Sequence, residues 1–337
     1  AGPRYGRVEP FSSAVQREPV EPQPRQTRES NSTSFCIGGK LLPSAMLIGC
    51  QKAGTTSLFD DLKRTVRGLD YGFALAGESF FKAKEKHCFD ADERYAKGLA
   101  FYAKHFRTCK GGGSGPIAFD ATPNYIRKPV VPERIVRAYG KPRASQLRFI
   151  IMVRHPIKRA RSEFAHFSMG NRTGMPFEVL ARRQALEIRK CRENGRPLWP
   201  SCTEGNLAWQ VVYASMYSEQ LRHWLQFFAP EQFLVTSLEL YRANPNAVIR
   251  DITTFLRIPA PKGVIRQPAH AQHKMKSKAE LPQRLEEELH SVFCPLMEDF
   301  RALLRQHSIT LAPNDATVES VVPMDCAPRH LAAREGE

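Results

Sequence analysis

Apolar runs without alternation mark the clearest elements of the chain. Residues 45–49 and 147–153 are such runs, which is typical of strands buried on both faces of a parallel sheet. After the first run, Leu58, Leu62 and Val66 recur at the spacing of a helix that buries one face. Buried strands followed directly by helices predict an α/β protein with a parallel sheet.

The same patterns predict further elements along the chain. Short strands are predicted within residues 117–125 and 233–237. Helices are predicted over residues 95–106, 132–140, 209–228, 246–256 and 285–303, the last of them kinked near Pro295.

The first 40 residues differ in composition from the rest of the chain. They are rich in Pro, Arg, Glu, Gln and Ser, and they contain too few large apolar residues to form a core. We therefore expect a disordered stem or linker over residues 1–40, one domain over residues 41–310 and a C-terminal tail over residues 311–337. No run of 18 or more apolar residues occurs, so we expect membrane attachment only through an upstream anchor that has been removed.

The formal net charge of the 337-residue chain is +16, from 50 Lys and Arg against 34 Asp and Glu. Such an excess favours an anionic partner, which is a nucleotide, an acidic polymer or a nucleic acid. Charge alone does not choose among these three classes.

The first strand breaks at Gly49 into a short turn and then a helix. Gly54 allows the backbone to approach a ligand closely, and the unpaired N–H groups of the following helix turn favour an anion. In a Walker P-loop the lysine follows the second glycine, whereas Lys52 precedes Gly54. A nucleoside triphosphatase loop therefore does not fit, and an ordinary turn with a solvated lysine is the alternative.

A second unusual segment, residues 80–90, interleaves lysines with aromatic residues. Glu85 is flanked by cations, which would keep its carboxylate ionised and able to accept a proton from a bound hydroxyl. His87 is the competing base, because histidine titrates nearer to neutral pH. A solvated charged loop is the alternative.

The strand over residues 147–153 also ends at a cation, Arg154, and Pro156 then suits the first turn of a helix. Arg154 and the hydroxyl of Ser162 would together suit a phosphate group. The alternative for Arg154 is a surface arginine that caps the sheet. Asp120 and Tyr125 follow another strand, so they are expected at the same carboxyl edge of the sheet.

Three features favour a secretory lumen as the location. Cys191 and Cys202 enclose a polar, looped segment, for which we predict a disulfide, with two free thiols as the alternative. Asn31 and Asn171 each begin a glycosylation acceptor pattern.

Taken together, these motifs resemble those of sulfotransferases that use 3′-phosphoadenosine 5′-phosphosulfate (PAPS). Residues 51–57 (Gln-Lys-Ala-Gly-Thr-Thr-Ser) resemble the 5′-phosphosulfate loop, and Arg154-His155-Pro156 with Ser162 resembles the 3′-phosphate motif. Residues 85–89 (Glu-Lys-His-Cys-Phe) resemble the Glu-Pro-His-Phe-Phe segment of Golgi heparan sulfate sulfotransferases. The resemblance implies a P-loop-like three-layer fold, in which helices flank a central parallel sheet.

The resemblance also implies residue roles, which we state as expectations. The catalytic residues are Glu85 as base, Lys52 at the leaving oxygen and His87 as a second base or orienting group. The residues that bind PAPS are Lys52, Ala53, Gly54, Thr55, Thr56, Ser57, Arg154 and Ser162, with Lys276, Ser277 and Lys278 in a basic loop that closes over the nucleotide.

The reaction expected from the resemblance is transfer of sulfate from PAPS to a hydroxyl of an anionic or neutral glycan, in the Golgi lumen and without a metal. Specific nucleic-acid binding is not expected, and a cytoplasmic location is the alternative. Two rival functions are a kinase-like phosphoryl transferase and a non-enzymatic binder of heparin or nucleic acid. The chain departs from the family at Lys86, where the family has proline, and at Ala121, where the heparan enzymes often have lysine.

Overall fold

The chain folds around a central parallel sheet. The computed structural model describes residues 34–109, 115–167, 174–200, 202, 210–266, 280–322 and 324–326. A small antiparallel pair, β1 (Cys36–Ile37) and β2 (Lys40–Leu41), comes first. The central sheet then consists of β3 (Pro43–Gly49), β4 (Leu69–Asp70), β5 (Ile117–Asp120), β6 (Arg148–Val153), β7 (Phe233–Ser237) and β8 (Thr310–Leu311).

Helices flank this sheet and connect its strands. Those of the described residues are α1 (Thr55–Thr65), α2 (Asp92–Tyr95), α3 (Gly98–Ala103), α4 (Val130–Tyr139), α5 (Lys141–Ala144), α6 (Pro156–His166), α7 (Phe177–Glu193), α8 (Tyr217–Trp224), α9 (Leu238–Ala243), α10 (Pro245–Phe255), α11 (Gln283–Gln306) and α12 (Val318–Val321). Short 3-10 turns lie at Phe80–Ala83, Tyr125–Arg127, Tyr213–Ser215 and Pro230–Gln232.

The order of the strands locates the crevice where a ligand would bind. In space the order is β4-β5-β3-β6-β7-β8, and every pairing is parallel. The chain therefore proceeds from β3 toward one edge of the sheet and later from β6 toward the other edge. Such a switch point opens a crevice at the carboxyl ends of β3 and β6. The predicted α/β fold with a parallel central sheet is confirmed.

The core lies on both faces of β3, β6 and β7. Their side chains are almost all buried, as the apolar runs predicted. On one face, the ring of Phe149 contacts Trp224, Phe228 and Phe233 with centroids 4.6–5.3 Å apart. The buried indole of Trp224 donates to the carbonyl of Ile126 at 3.2 Å, so its polar atom is satisfied.

Several helices match the sequence predictions, but two do not. The helix predicted over residues 95–106 is divided between α2 and α3. The long helix predicted over residues 209–228 is wrong, because the chain breaks at Met216 (φ −84°, ψ 68°) between a 3-10 turn and α8. A physical reason is that Arg159 takes the carbonyl of Val211 and the hydroxyl of Ser215 as hydrogen-bond acceptors. Trp209 lies outside the described residues.

Three disulfides cross-link the fold. The predicted Cys191–Cys202 bond is confirmed, and Cys36–Cys109 and Cys294–Cys326 are additional bonds. Ordered structure begins before residue 41 with β1 and continues past residue 310 with β8 and α12. None of the helices in the described ranges has the length and apolarity needed to cross a membrane.

Candidate active site

The turn between β3 and α1 forms the first part of the site. Gly54 adopts φ 91°, and a Cβ atom there would lie 2.5 Å from Cδ1 of Leu238, so only glycine fits this turn without a shift. The N–H of Leu58 donates to the carbonyl of Gly54 at 3.1 Å, which closes the first helical turn. The N–H groups of residues 55–57 therefore precede the helical hydrogen-bond ladder and are directed at the crevice.

The second part is the junction between β6 and α6. Arg154 Nη1 donates to the carbonyl of Lys52 at 3.1 Å, so the two cations lie side by side at the carboxyl ends of neighbouring strands. Burial lowers the pKa of the Lys52 amine, and the positive charge of Arg154 lowers it further. In the ranges that the structure covers, neither cation has a carboxylate within salt-bridge distance. Two partly buried cations that no described carboxylate contacts directly are suited to an anionic ligand.

A buried ion pair supports both junctions from behind. The guanidinium of Arg159 is fully buried; it donates to Glu163 Oε2 at 2.6 Å and to Ser215 Oγ at 2.5 Å. It also reaches the carbonyl of Gln51 at 3.4 Å, and Arg127 donates to the other Glu163 oxygen at 2.7 Å. The sequence analysis missed this pair. Its only signal was a charged pair at i, i+4 spacing on the buried face of α6.

Arg159→Met is expected to destabilise the protein by about 3 kcal/mol, because among the described residues it leaves the buried carboxylate of Glu163 in an ion pair with Arg127 alone. Thermal denaturation should show a fall in Tm of about 6–12 °C. Arg137→Met is the matched control, since Arg137 forms an exposed pair with Glu133. Equal melting temperatures for the two variants would contradict the supporting role of Arg159.

The Glu85 segment lies against the first junction. Lys84 Nζ lies 2.9 Å from Glu85 Oε1 and donates to Thr56 Oγ1 at 3.0 Å, so one ammonium joins the carboxylate to the start of α1. The second oxygen, Oε2, lies 3.4 Å from His87 Nε2. The structure thus brings Glu85, His87 and the turn around Lys52 together, as the sequence analysis expected of a shared site.

Protonation states in this segment follow from its hydrogen bonds. Burial alone would raise the pKa of Glu85, but the hydrogen bond from His87 and the charge of Lys84 lower it overall. Burial alone would lower the pKa of His87, but hydrogen bonds to Asp90, at 2.9 Å, and to Glu85 raise it to about 9. At neutral pH, Glu85 is therefore ionised and His87 is protonated. This favours Glu85 as the base and His87 as its orienting donor.

Asp120 and Tyr125 lie beneath the Glu85 segment, where they support it. The buried carboxylate of Asp120 accepts hydrogen bonds from Tyr102 at 2.6 Å, Tyr125 at 3.0 Å and Thr122 at 2.7 Å. Thr122 Oγ1 in turn accepts from the N–H of Lys86 at 2.9 Å. These two strand-end residues therefore hold the backbone of the segment.

His166 is a further titratable residue near the first junction, and the sequence analysis missed it. It ends α6, and its pKa is lowered first by partial burial and then by the positive charge of Lys52. Glu163 and Glu85 also act electrostatically on its ring. No motif indicated it, because a single histidine at a helix end has many ordinary explanations.

The remaining predicted residues are divided between the site and the parts not described. Ser162 lies half-buried on α6, two turns after Arg154. Residues outside the described part are Lys276, Ser277, Lys278, Asn31 and Asn171.

Unsatisfied polar atoms at the two junctions and on α9 are consistent with a polar ligand. Within the described ranges, Gln51 Oε1, His155 Nδ1 and Glu239 Oε2 are buried and make no hydrogen bond. Burial lowers the pKa of His155 to about 4, so its imidazole is neutral and keeps one acceptor nitrogen. Buried polar groups of this kind normally have a partner, and a nucleotide would provide donors and acceptors for them.

Comparison with known proteins agrees with this geometry. Residues 42–292 match the sequence model of the sulfotransferase domain. Mouse heparan sulfate glucosamine 3-O-sulfotransferase 5 is 30% identical over 224 residues, which are 65% of this chain and 54% of the relative. Human heparan sulfate glucosamine 3-O-sulfotransferase 6 is 28% identical over 223 residues, 65% of this chain and 53% of the relative. The chain thus spans about half the length of these curated relatives.

Among solved structures, a sulfotransferase from Alicyclobacillus acidocaldarius has a similar fold. The TM-score is 0.52 at 22% identity, and the match covers 78% of this chain and 96% of that chain. The predicted sulfotransferase fold is therefore confirmed. Since the family's sequence model matches most of the residues, the chain belongs to the sulfotransferase domain family.

Proposed function

We propose that the protein transfers the sulfuryl group of PAPS to a hydroxyl of a glycan. The observation that carries this proposal is the pair Lys52 and Arg154, two adjacent cations without a carboxylate partner among the described residues, beside the ionised Glu85. Two such cations suit an anionic donor. The side chain of Lys84 connects the Glu85 carboxylate to Thr56 at the start of α1. Membership in the sulfotransferase family supports the reaction class.

Each end of the donor has its own group of residues. Lys52 and the N–H groups of residues 55–57 would hold the 5′-phosphosulfate, because the start of a helix favours an anion. Arg154 and Ser162 would hold the 3′-phosphate, which distinguishes PAPS from nucleotides that lack it. The basic residues 276–278 remain expected contacts on the basis of the family resemblance.

Glu85 would remove the proton of the acceptor hydroxyl while its oxygen forms the new bond to sulfur. The bond between sulfur and the oxygen of the 5′-phosphate breaks, so negative charge grows on that oxygen. Lys52 and the helix N–H groups would stabilise this charge, as preorganised donors do in a water-poor site. His87, held by Asp90, would keep the Glu85 carboxylate oriented.

The acceptor class is proposed from charge and from the relatives. A net charge of +16 attracts polyanions, and the curated relatives are named for heparan sulfate. An anionic glycan of that type is therefore the first acceptor to test. The three disulfides favour an oxidising compartment, and we propose the Golgi lumen.

The test of function is transfer of radiolabelled sulfate from PAPS to heparan sulfate, chondroitin and a neutral glycan. We expect incorporation into the anionic glycan that requires PAPS. No transfer to any acceptor, combined with magnesium-dependent hydrolysis of ATP, would favour a phosphoryl transferase instead. Salt-sensitive heparin binding that adenosine 3′,5′-bisphosphate does not affect, again without transfer, would favour a non-enzymatic binder.

Arg154→Ala is expected to weaken binding of adenosine 3′,5′-bisphosphate by about 10- to 100-fold, because a charged hydrogen bond contributes about 1.5–3 kcal/mol. Isothermal titration calorimetry measures this directly. Arg222→Ala is the control, since Arg222 is exposed and pairs with Glu219. Unchanged nucleotide affinity in Arg154→Ala would remove Arg154 from the donor site.

Activity should be nearly constant from weakly acidic to neutral pH and fall near pH 9. The lowered pKa of Glu85 keeps the base ionised on the acid side, whereas His87 loses its proton as pH rises through about 9.

In Asp90→Asn the main stabilising partner of protonated His87 loses its charge, so the alkaline limb of kcat should move down by about 1 pH unit or more. Asp92→Asn, at an exposed carboxylate, is the control. An unmoved alkaline limb would argue against the relay from Asp90 to Glu85.

A further inference from the structure

Lys86 is a fully buried lysine that lies between the proposed base and its histidine partner. Its Nζ atom donates to three backbone carbonyls: that of Ala83 at 2.7 Å, that of Lys82 at 2.8 Å and that of Phe73 at 3.3 Å. An ammonium group has three N–H donors, so each donor has an acceptor.

Backbone carbonyl oxygens surround the ammonium group of Lys86. Within the described part of the chain, no carboxylate lies within salt-bridge distance of Lys86 Nζ, and the ring centroid of Phe106 lies 5.4 Å away. Burial lowers the pKa of Lys86 to about 8, and the negative charge of Asp120 opposes that shift. The amine therefore stays largely charged at neutral pH. A buried cation held by carbonyls alone is costly, so its presence calls for a specific role.

The contacts of Lys86 join three segments of backbone. The carbonyls of Lys82 and Ala83 end the 3-10 turn that precedes Glu85, and Phe73 lies in the segment after β4. The main-chain N–H of Lys86 donates to Thr122 Oγ1, in the turn after β5. Residue 86 is thus fixed by its side chain on one side and by its main chain on the other.

We propose that Lys86 is a positioning residue, whose ammonium fixes the turn before Glu85 and thereby holds that carboxylate at the acceptor hydroxyl. The inference rests on the proposed sulfuryl transfer. Three hydrogen bonds from this buried lysine restrict the backbone of the turn. Loss of the ammonium leaves three carbonyls without that donor and frees the turn.

The test compares Lys86→Met with Lys104→Met, which replaces an exposed lysine. In Lys86→Met, kcat should fall about 10- to 100-fold, because a base misplaced by about 1 Å can cost a factor of 100. The Kd for adenosine 3′,5′-bisphosphate should stay within about twofold, since the donor contacts are elsewhere. Lys86→Arg keeps the charge and the donors and should recover part of the lost kcat. Wild-type kcat in Lys86→Met, or an equal loss of nucleotide affinity, would overturn the inference.

A second variant covers the case in which Lys86→Met fails to fold. Lys86→Gln removes the charge but keeps an amide N–H₂ group that can still donate to two of the carbonyls, so it perturbs the core less than Lys86→Met does. Its kcat should fall several-fold with nucleotide affinity retained, and an unchanged kcat would contradict the positioning role.

The wild-type enzyme in the same assay separates the proposed sulfuryl transfer from the proposed role of Lys86. Wild-type transfer with unaffected variants refutes only the role of Lys86, whereas absence of wild-type transfer refutes the proposed function and this inference with it.

Discussion

Lys52→Ala is expected to reduce sulfuryl transfer at least about 100-fold, because loss of one donor at a developing oxyanion typically costs about 3 kcal/mol. Lys52 is the only side-chain cation of the first turn, and burial and the positive charge of Arg154 lower its pKa. Steady-state kinetics with radiolabelled PAPS would measure the effect. The loss should appear mainly in kcat, since the charge that Lys52 stabilises is greatest in the transition state.

Lys63→Ala is the matched control for that substitution. Lys63 is an exposed lysine in the last turn of α1, the same helix whose start would bind the phosphosulfate. Its removal lowers the net charge by the same amount and should leave kcat within about twofold, as expected for a surface substitution. Equal losses in both variants would mean that general charge, and not the turn, governs the rate.

Glu85→Gln is expected to lower kcat by about 100- to 10,000-fold, the usual contribution of a positioned general base. The amide preserves the size of the side chain and can still contact Lys84 and His87, so the fold and nucleotide binding should be retained. Rapid-quench measurement of a single turnover would separate the chemical step from product release.

Glu93→Gln is the control for the base. Glu93 is an exposed carboxylate on α2, and its neutralisation should leave turnover unchanged. Wild-type turnover in Glu85→Gln would exclude Glu85 as the base. His87 would not replace it readily, because its raised pKa of about 9 keeps it protonated at neutral pH.

The residues at the two strand-helix junctions could be predicted from the sequence because each is a local feature. The apolar run over residues 147–153 is buried on both faces of the sheet, and Arg154 follows it directly. Gly54 indicated a close turn, and its φ of 91° shows the left-handed conformation that glycine favours. In a parallel sheet, strands of the same direction bring such ends to one edge, so local patterns sufficed.

Features that depend on contacts between distant segments could not be predicted in this way. The Cys36–Cys109 and Cys294–Cys326 bonds join residues 73 and 32 positions apart, and no spacing rule assigns such pairs. The helix predicted through Met216 failed because Arg159, more than 50 residues earlier, binds the carbonyl of Val211. Helical periodicity reports which side chains are buried, but it does not report which backbone groups have partners elsewhere.

The protonation of the Glu85 segment likewise depends on three-dimensional contacts. The sequence placed His87 near Glu85, and histidine in isolation titrates near neutral pH. Asp90 and Glu85 both contact its ring in the structure, and they raise its pKa to about 9. A candidate base therefore becomes a donor that orients the other candidate.

The central claim is that two separate strand-helix junctions bind opposite ends of one nucleotide. The most direct measurement is a crystal structure of the protein with adenosine 3′,5′-bisphosphate. We expect the 5′-phosphate at Lys52 and the N–H groups of residues 55–57, and the 3′-phosphate at Arg154 and Ser162. A nucleotide bound elsewhere, or one whose phosphates contact neither Lys52 nor Arg154, would contradict the account.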